Sequence, residues 1–313
     1  MATVETVLGP LDGSKLGVVL SHEHVLVAMG AENYHYPWRF DWPASRQRAI
    51  DELKEAKAGG VDSIIDLTTP DLGRDVEYVR SVAQASGVNV IVATGIWRDV
   101  PRSFWERDHD RIADIFVREI EVGIGETGIK AGAIKVANDM GGVTPEGERI
   151  LRGAARASKR TGCPISSHHW APEEVGRRQV AVFKEEGAPM DRICIGHSAD
   201  STDVGYLEDL LNEGVYLSMD RYPGRGDRPN WEQRNATVKA LVDRGWASRL
   251  MLGHDYAPAP VVIGAEAQPR SGPTTYTFLN RVAIPALRDA GVSQADIDTM
   301  TRDVPRRFLT GES

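Results

Sequence analysis

Eight short apolar runs recur along this chain, and a longer segment follows each of them. The runs are Gly17–Ser21, Ser63–Leu67, Val88–Thr94, Ala131–Val136, Pro164–Ser167, Ile193–Gly196, Val215–Ser218 and Leu250–Gly253. Continuous apolar runs rich in Val and Ile are typical of parallel strands that are buried on both faces. The pattern therefore predicts eight buried strands.

The segments between these runs have the period of amphipathic helices. The clearest are Ala44–Ala58, Arg74–Ala85, Glu146–Arg160, Glu173–Glu186 and Asn230–Arg244. Glycine often follows them, as at Gly59 and Gly87, where a helix C-cap favours it. Eight strands alternating with helices predict an α/β protein, a closed (β/α)8 TIM barrel formed by residues 1–313 as a single domain. A doubly wound open sheet is the alternative.

Composition excludes several classes of function. The net charge is −8 and no block of Lys and Arg is present, so we expect no nucleic-acid partner. No stretch reaches the roughly 18 apolar residues of a membrane span, and the N-terminus lacks the features of a signal peptide. Cys163 and Cys194 both lie in apolar runs, which predicts buried, reduced thiols. A cytoplasmic location is the expectation from these absences.

Candidate metal ligands lie at the ends of five of the eight runs. In a barrel, catalytic groups come from the C-terminal ends of the strands, which share one rim. The candidates are His22, His24, Lys135, His168, His197 and Asp255. Only a closed barrel brings five strand ends that are far apart in sequence onto one rim.

Two of these positions are informative on their own. His22 and His24 are two residues apart, so in an extended chain both side chains point the same way and can share a metal ion. An isolated pair of this kind is more often solvated or hydrogen-bonded. Lys135 lies inside an apolar strand, where an ammonium group is costly unless it is paired or modified. It either reaches the rim or an acid, or its amine takes up CO2 to form a carbamate, an anionic oxygen donor.

The donor set as a whole is sufficient for two metal ions. Four imidazoles, one aspartate and one carbamate can hold two divalent ions with an open position between them. Such ligands suit Zn²⁺, and Co²⁺, Mn²⁺ or Fe would also fit. His169 is adjacent to His168 and would point away from it on a strand, so we interpret it as a supporting residue.

These residues, in this order, resemble the phosphotriesterase family of amidohydrolase-type barrels, and within it the phosphotriesterase-like lactonases. The resemblance covers nearly the whole chain. The motifs that carry it are Leu20–His24, Ala131–Val136, Gly196–Ser198, Gly253–Tyr256 and the closing Asp303–Leu309.

The resemblance implies roles for the ligands and for two further residues. His22, His24 and Asp255 would hold the more buried ion, His168 and His197 the more exposed ion, and carboxylated Lys135 would bridge the two. Arg221 would line the substrate site; the alternative is a rim salt bridge with Asp220 or another acid. Many lactonases of the family carry a tyrosine where this chain has Trp97, so we interpret Trp97 as a wall of the pocket. A homodimer is also implied.

The predicted function is hydrolysis of N-acyl homoserine lactones, a quorum-quenching activity. A hydroxide bridging the two ions would attack the lactone carbonyl, and Asp255 would take up its proton. Phosphotriester hydrolysis is expected as a side reaction. The segment Ala257–Pro273 either covers an acyl chain or is a surface loop. The alternatives are an organophosphate triesterase, a hydrolase of amides or cyclic imides, and a non-catalytic ligand-binding barrel.

Overall fold

Ten strands form two sheets in the computed structural model, which describes residues 2–224, 226–263 and 275–312. The strands are β1 Thr3–Thr6, β2 Gly9–Asp12, β3 Val19–Glu23, β4 Ser63–Asp66, β5 Asn89–Gly95, β6 Ala133–Ala137, β7 Ile165–His168, β8 Ile193–Gly196, β9 Tyr216–Met219 and β10 Leu250–Leu252. Strands β3 to β10 form one parallel sheet in which each strand pairs with the next along the chain.

This sheet closes on itself where β3 meets the segment that follows β10. The backbone N–H of His24 donates to the carbonyl of Tyr256 at 2.8 Å, and that of Asp255 donates to the carbonyl of His22 at 2.9 Å. Glu23 and Tyr256 form a parallel bridge. The predicted (β/α)8 barrel is therefore confirmed, and the open-sheet alternative is wrong.

Helices occupy the crossover connections and the C-terminal part of the chain. They are α1 Glu32–His35, α2 Trp42–Ala58, α3 Val76–Ser86, α4 His109–Glu121, α5 Pro145–Thr161, α6 Gly176–Glu185, α7 Val204–Asn212, α8 Trp231–Asp243, α9 Ile284–Asp289, α10 Gln294–Asp298 and α11 Val304–Thr310. Their apolar faces are buried, as Leu53 of α2 and Phe116 of α4 illustrate. Side-chain N-caps begin several of them, including Asp75 at α3 and Thr144 at α5.

The five predicted helices are present, with shifted ends. The largest shift is at α6, predicted from Glu173. Residues Ala171–Glu173 form a separate 3-10 turn, and Glu174 adopts a left-handed conformation with φ of +50°. A left-handed residue cannot continue an α-helix, so α6 begins only at Gly176. The first barrel strand is also shifted, because it extends to Glu23 and therefore contains His22.

The N-terminal hairpin was not predicted. Strands β1 and β2 pair antiparallel, and Val4 from β1 packs with Phe308 of α11 against the inward side chains of the barrel strands. These two elements therefore cover the end of the barrel opposite the predicted site.

Cys163 and Cys194 are both buried and unpaired. Residues 264–273 of the predicted acyl-covering segment lie outside the described residues.

No helix in the described part of the chain combines the length and apolar character needed to cross a membrane.

Candidate metal centre

The predicted site residues surround one cavity of about 310 Å³ at the C-terminal ends of the barrel strands. The cavity is lined by all six candidate ligands and by both candidate substrate residues, namely His22, His24, Trp97, Lys135, His168, His197, Arg221 and Asp255. The barrel thus brings together side chains from β3, β6 and β7 and from the segments after β5, β8, β9 and β10.

The first group of donors consists of His22, His24 and Asp255. The Asp255 Oδ1 atom lies 3.1 Å from His24 Nε2 and 3.5 Å from His22 Nε2. One ligand atom from each of the three side chains lies within 4.8 Å of the others, a spacing that could hold a metal ion. All three come from the junction at which the barrel closes, which explains how residues so distant in sequence meet.

The second group consists of His168 and His197. His168 Nδ1 lies 2.8 Å from His197 Nε2. The indole N–H of Trp97 donates to the same His168 Nδ1 at 3.3 Å. Burial lowers the pKa of His168 to about 3 and also holds the pKa of His197 well below its ordinary value. Both imidazoles are therefore neutral at pH 7, the form that binds metals.

A buried aspartate supports one imidazole from each group. Asp220 Oδ2 accepts from His22 Nδ1 at 2.9 Å, and its Oδ1 accepts from His197 Nδ1 at 2.8 Å. Burial alone would raise the pKa of Asp220, but His22 and Arg221 outweigh it and keep this carboxyl ionised. Since both Nδ1 atoms carry protons, the Nε2 atoms present lone pairs to the cavity. Although His22, His197 and Asp220 are close enough to hold an ion, these hydrogen bonds already account for that spacing.

His24 has a similar support from two other residues. Its Nδ1 donates to Thr68 Oγ1 at 2.9 Å, and Thr68 Oγ1 donates to Asp66 Oδ1 at 2.5 Å. The Nε2 of His24 is therefore the unprotonated nitrogen, and it faces the Asp255 carboxylate.

The pattern of lone pairs fits bound cations. His24 Nε2 faces a carboxylate oxygen, and His168 Nδ1 faces His197 Nε2, with no proton between the atoms of either pair. Such contacts are repulsive unless a positive charge lies among them. Imidazole nitrogens and a carboxylate oxygen are the donors that Zn²⁺ and related ions prefer. The side chains therefore fit divalent metal ions.

Lys135 lies on β6 and points into the same site. Its side chain is 1% exposed, and Nζ lies 3.0 Å from His22 Nε2. Among the described residues, no carboxylate lies within ion-pair distance of this Nζ, and the side chain is not exposed to solvent. Burial lowers the pKa of its amine to about 8, which increases the fraction of neutral amine able to react with CO2.

Arg221 connects the donors to a second aspartate. Its Nε donates to Asp255 Oδ2 at 2.9 Å, and its Nη1 donates to Asp200 Oδ2 at 2.6 Å. Asp200 also accepts from the fully buried Arg234 at 2.7 Å. Burial would raise the pKa of Asp255, but the imidazoles of His197 and His22 together with Arg221 hold it well below the ordinary value. Arg221 thus lines the cavity and is ion-paired, although Asp220 is not its partner.

Several supporting residues had not been predicted. They are Glu23, Thr68, Asp139, Asp200 and Asp220. Asp200 follows β8 and Asp220 follows β9, so the rule of reading polar residues after each strand could have found both. Backbone conformation is a further signal available only in three dimensions. His197, Arg221 and Asp255 all have positive φ, which is uncommon outside glycine and clusters at functional sites.

Comparison with known proteins gives matches over nearly the whole chain. The model of the phosphotriesterase family matches residues 2–309. A phosphotriesterase homology protein from Mycobacterium tuberculosis is 42% identical over 321 residues, which cover 99% of this chain and 98% of the relative. An aryldialkylphosphatase from Saccharolobus solfataricus is 32% identical, covering 96% and 97%. The solved structure of the phosphotriesterase from M. tuberculosis matches with a TM-score of 0.89 at 40% identity, covering 98% of both chains. This chain therefore belongs to the phosphotriesterase family and is a metal-dependent hydrolase.

Proposed function

We propose that this protein hydrolyses N-acyl homoserine lactones and that phosphotriester hydrolysis is a side reaction. The supporting observation is the mixed polar and apolar lining of the cavity. Besides the imidazole and carboxylate donors, the lining includes the apolar side chains of Val27, Met29, Leu72 and Ala257 and the indole of Trp97. A neutral ring ester with an apolar tail matches this arrangement, since its carbonyl can face the donors while its acyl chain contacts the apolar side chains.

Two divalent ions, most simply Zn²⁺, are proposed as the cofactors. His22, His24 and Asp255 would hold one ion, and His168 and His197 the other. Lys135, after reaction with CO2, would supply the oxygen ligands that both ions share. Bound divalent ions lower the pKa of water and polarise carbonyl oxygens.

The protein's own groups then move the proton and orient the reactants. Water adds to the lactone carbonyl carbon, and Asp255 accepts the proton that this water loses. When the ring C–O bond breaks, the same carboxyl returns the proton to the departing alkoxide, which gives a hydroxy acid. Arg221 holds Asp255 Oδ2, so one oxygen stays fixed while Oδ1 faces the cavity side of His24.

An organophosphate triesterase is the second candidate, because the Saccharolobus relative is named as an aryldialkylphosphatase. The same donors can serve attack on phosphorus. A cyclic amide hydrolase is the third, since an amide carbonyl could occupy the same position.

Side-by-side kinetics test the proposal. Purified protein would be loaded with Zn²⁺ in bicarbonate buffer and assayed with N-decanoyl homoserine lactone, a diethyl aryl phosphate and a cyclic imide. We expect the highest kcat/KM for the lactone, abolished by a chelator and by Asp255→Asn. A higher kcat/KM for the phosphate or the imide would replace the lactone as the proposed substrate.

A second copy of this chain is the proposed macromolecular partner, on the basis of the family resemblance. Tyr34, Tyr36 and Trp38 are exposed large aromatic side chains that a dimer interface could cover. Light scattering should give a mass near twice 34.3 kDa. A monomer at micromolar concentration would contradict this proposal.

A further inference from the structure

His168 differs from the other three imidazoles of the site in the hydrogen bonding of the ring nitrogen that points away from the cavity. The corresponding nitrogens of His22, His24 and His197 each have a hydrogen-bond partner. Among the described residues, the buried Nε2 of His168 has none. Because Trp97 donates to Nδ1, the proton of neutral His168 lies on Nε2, where no acceptor lies close enough for a regular hydrogen bond.

The nearest carboxylate to this N–H is that of Asp139, which follows β6. Its Oδ2 lies 3.5 Å from His168 Nε2, longer than a regular hydrogen bond. The same oxygen is only 2.5 Å from Nη1 of Arg98. Asp139 therefore faces two donors, and the guanidinium holds its Oδ2 more closely than the imidazole does.

Arg98 is held in position from two directions. Its backbone N–H donates to Asp71 Oδ2 at 2.9 Å, and its guanidinium carbon lies 5.0 Å from the centre of the Trp97 ring. Its side chain is nevertheless 45% exposed, so it can be replaced without opening a buried cavity. Arg98 thus occupies the edge of the site without contributing a metal donor.

We propose that Arg98 draws the Asp139 carboxylate away from His168 and so weakens the hold of the site on the ion bound by His168 and His197. This inference rests on the proposed metal centre. Carboxylates that accept from a ligand imidazole raise its basicity and its affinity for the metal. Asp220 gives that support to His197 at 2.8 Å, whereas Arg98 limits it at His168. An ion bound by a less basic ligand keeps more Lewis acidity, which suits the polarisation of a carbonyl.

Metal affinity tests this directly, with Zn²⁺ alone as the probe. Metal-free protein in bicarbonate buffer would be titrated against a chromogenic chelator, and the two binding constants fitted. We expect Arg98→Gln to tighten the weaker site about tenfold, and Asp139→Asn to weaken it by less than the roughly 10- to 100-fold that the loss of a close supporting partner costs. In the double variant, the effect of Arg98→Gln should disappear, because it acts through Asp139.

Arg102→Gln is the matched control for charge. Arg102 is exposed in the same loop and stacks over Trp105, with no contact to the site. The Arg102→Gln variant should bind Zn²⁺ with an affinity within about twofold of the wild-type value, since exposed charges at a distance are screened. Equal tightening by Arg102→Gln would show a general charge effect and overturn the proposal.

Unchanged or weaker binding by Arg98→Gln would also overturn it, as would tightening that persists in the double variant. A wild-type protein that binds no Zn²⁺ would remove both the metal centre and this inference. Two bound ions without lactone hydrolysis would reject only the proposed substrate, because no substrate enters these titrations.

Discussion

Asp220 accepts hydrogen bonds from His22 Nδ1 at 2.9 Å and from His197 Nδ1 at 2.8 Å. One fully buried carboxylate therefore fixes the tautomer of one imidazole in each donor group. The backbone N–H of His197 donates to the same carboxylate at 3.1 Å, which also positions the start of the segment after β8. The carboxylate of Asp220, directly after β9, therefore supports both proposed metal sites.

Replacing that shared support should weaken both metal sites together. In Asp220→Ala both imidazole N–H groups lose their acceptor, because the substitution removes both carboxylate oxygens. We expect Zn²⁺ affinity to fall about 10- to 100-fold at each site, measured by chelator competition. The control is Asp203→Ala, at the cap of α7, and this variant should bind Zn²⁺ normally. Selective loss of one ion would refute the idea of a common support.

Carboxylation of Lys135 should depend on pH through its neutral amine. With a pKa of about 8, the neutral fraction rises about tenfold per pH unit below pH 8 and levels off above it. At constant dissolved CO2, the rate at which metal-free protein takes up Zn²⁺ should follow this curve. A ¹³C carbamate signal from labelled bicarbonate should appear in wild type and in Lys130→Arg but not in Lys135→Arg. Its presence in Lys135→Arg would place the modification elsewhere.

Arg221 should matter for turnover more than for metal content. Its Nε holds Asp255 Oδ2, so Arg221→Gln frees the carboxylate to rotate. We expect kcat to fall about 10- to 100-fold with two Zn²⁺ ions retained, comparable to the loss of a positioned donor or general base. Arg228→Gln is the control, because Arg228 approaches Asp200 at 3.6 Å but does not contact Asp255. Equal losses in the two variants would argue against a specific role of Arg221.

Asp71 should determine how firmly the wall of the pocket is held. Its carboxylate accepts from the backbone N–H groups of Trp97, Arg98 and Asp99 at 3.1, 2.9 and 3.1 Å. Asp71→Ala leaves all three N–H groups without their acceptor, so we expect KM for a long-chain lactone to rise about tenfold, with kcat and Zn²⁺ content little changed. Asp71→Asn should recover part of the effect. A fall in kcat alone would indicate a different role.

Gly95, at the end of β5, should not tolerate a side chain. Its φ is +113°, and a Cβ there would lie 1.9 Å from the backbone oxygen of Lys135. Gly95→Ala should lower the free energy of unfolding by more than about 2 kcal/mol. Gly87→Ala is the control, since Gly87 also has positive φ but no atom within 4 Å of the added carbon; about 1 kcal/mol is expected there. Chemical denaturation would compare them.

The barrel and the residues around its cavity were largely predictable from sequence. Parallel strands buried on both faces leave continuous apolar runs, and the rule that function lies at strand C-termini placed His168 and Asp255 correctly at the rim. The hairpin β1–β2 was missed because its strands, TVET and GPLD, are polar and partly exposed and so leave no continuous apolar run. The break before α6 was missed because the left-handed conformation of Glu174 has no signature in a non-glycine residue.

The sequence by itself determined the architecture and the types of donor, because strand periodicity and residue chemistry are local properties. Only the tertiary structure decided which nitrogen of each imidazole faces the cavity, since a tautomer depends on partners such as Asp220 and Thr68 that are distant in sequence. It also decided that Arg221 pairs with Asp200 and Asp255 and not with its neighbour Asp220. Successive residues diverge at a strand end, whereas strand ends that are far apart in the chain converge on one rim.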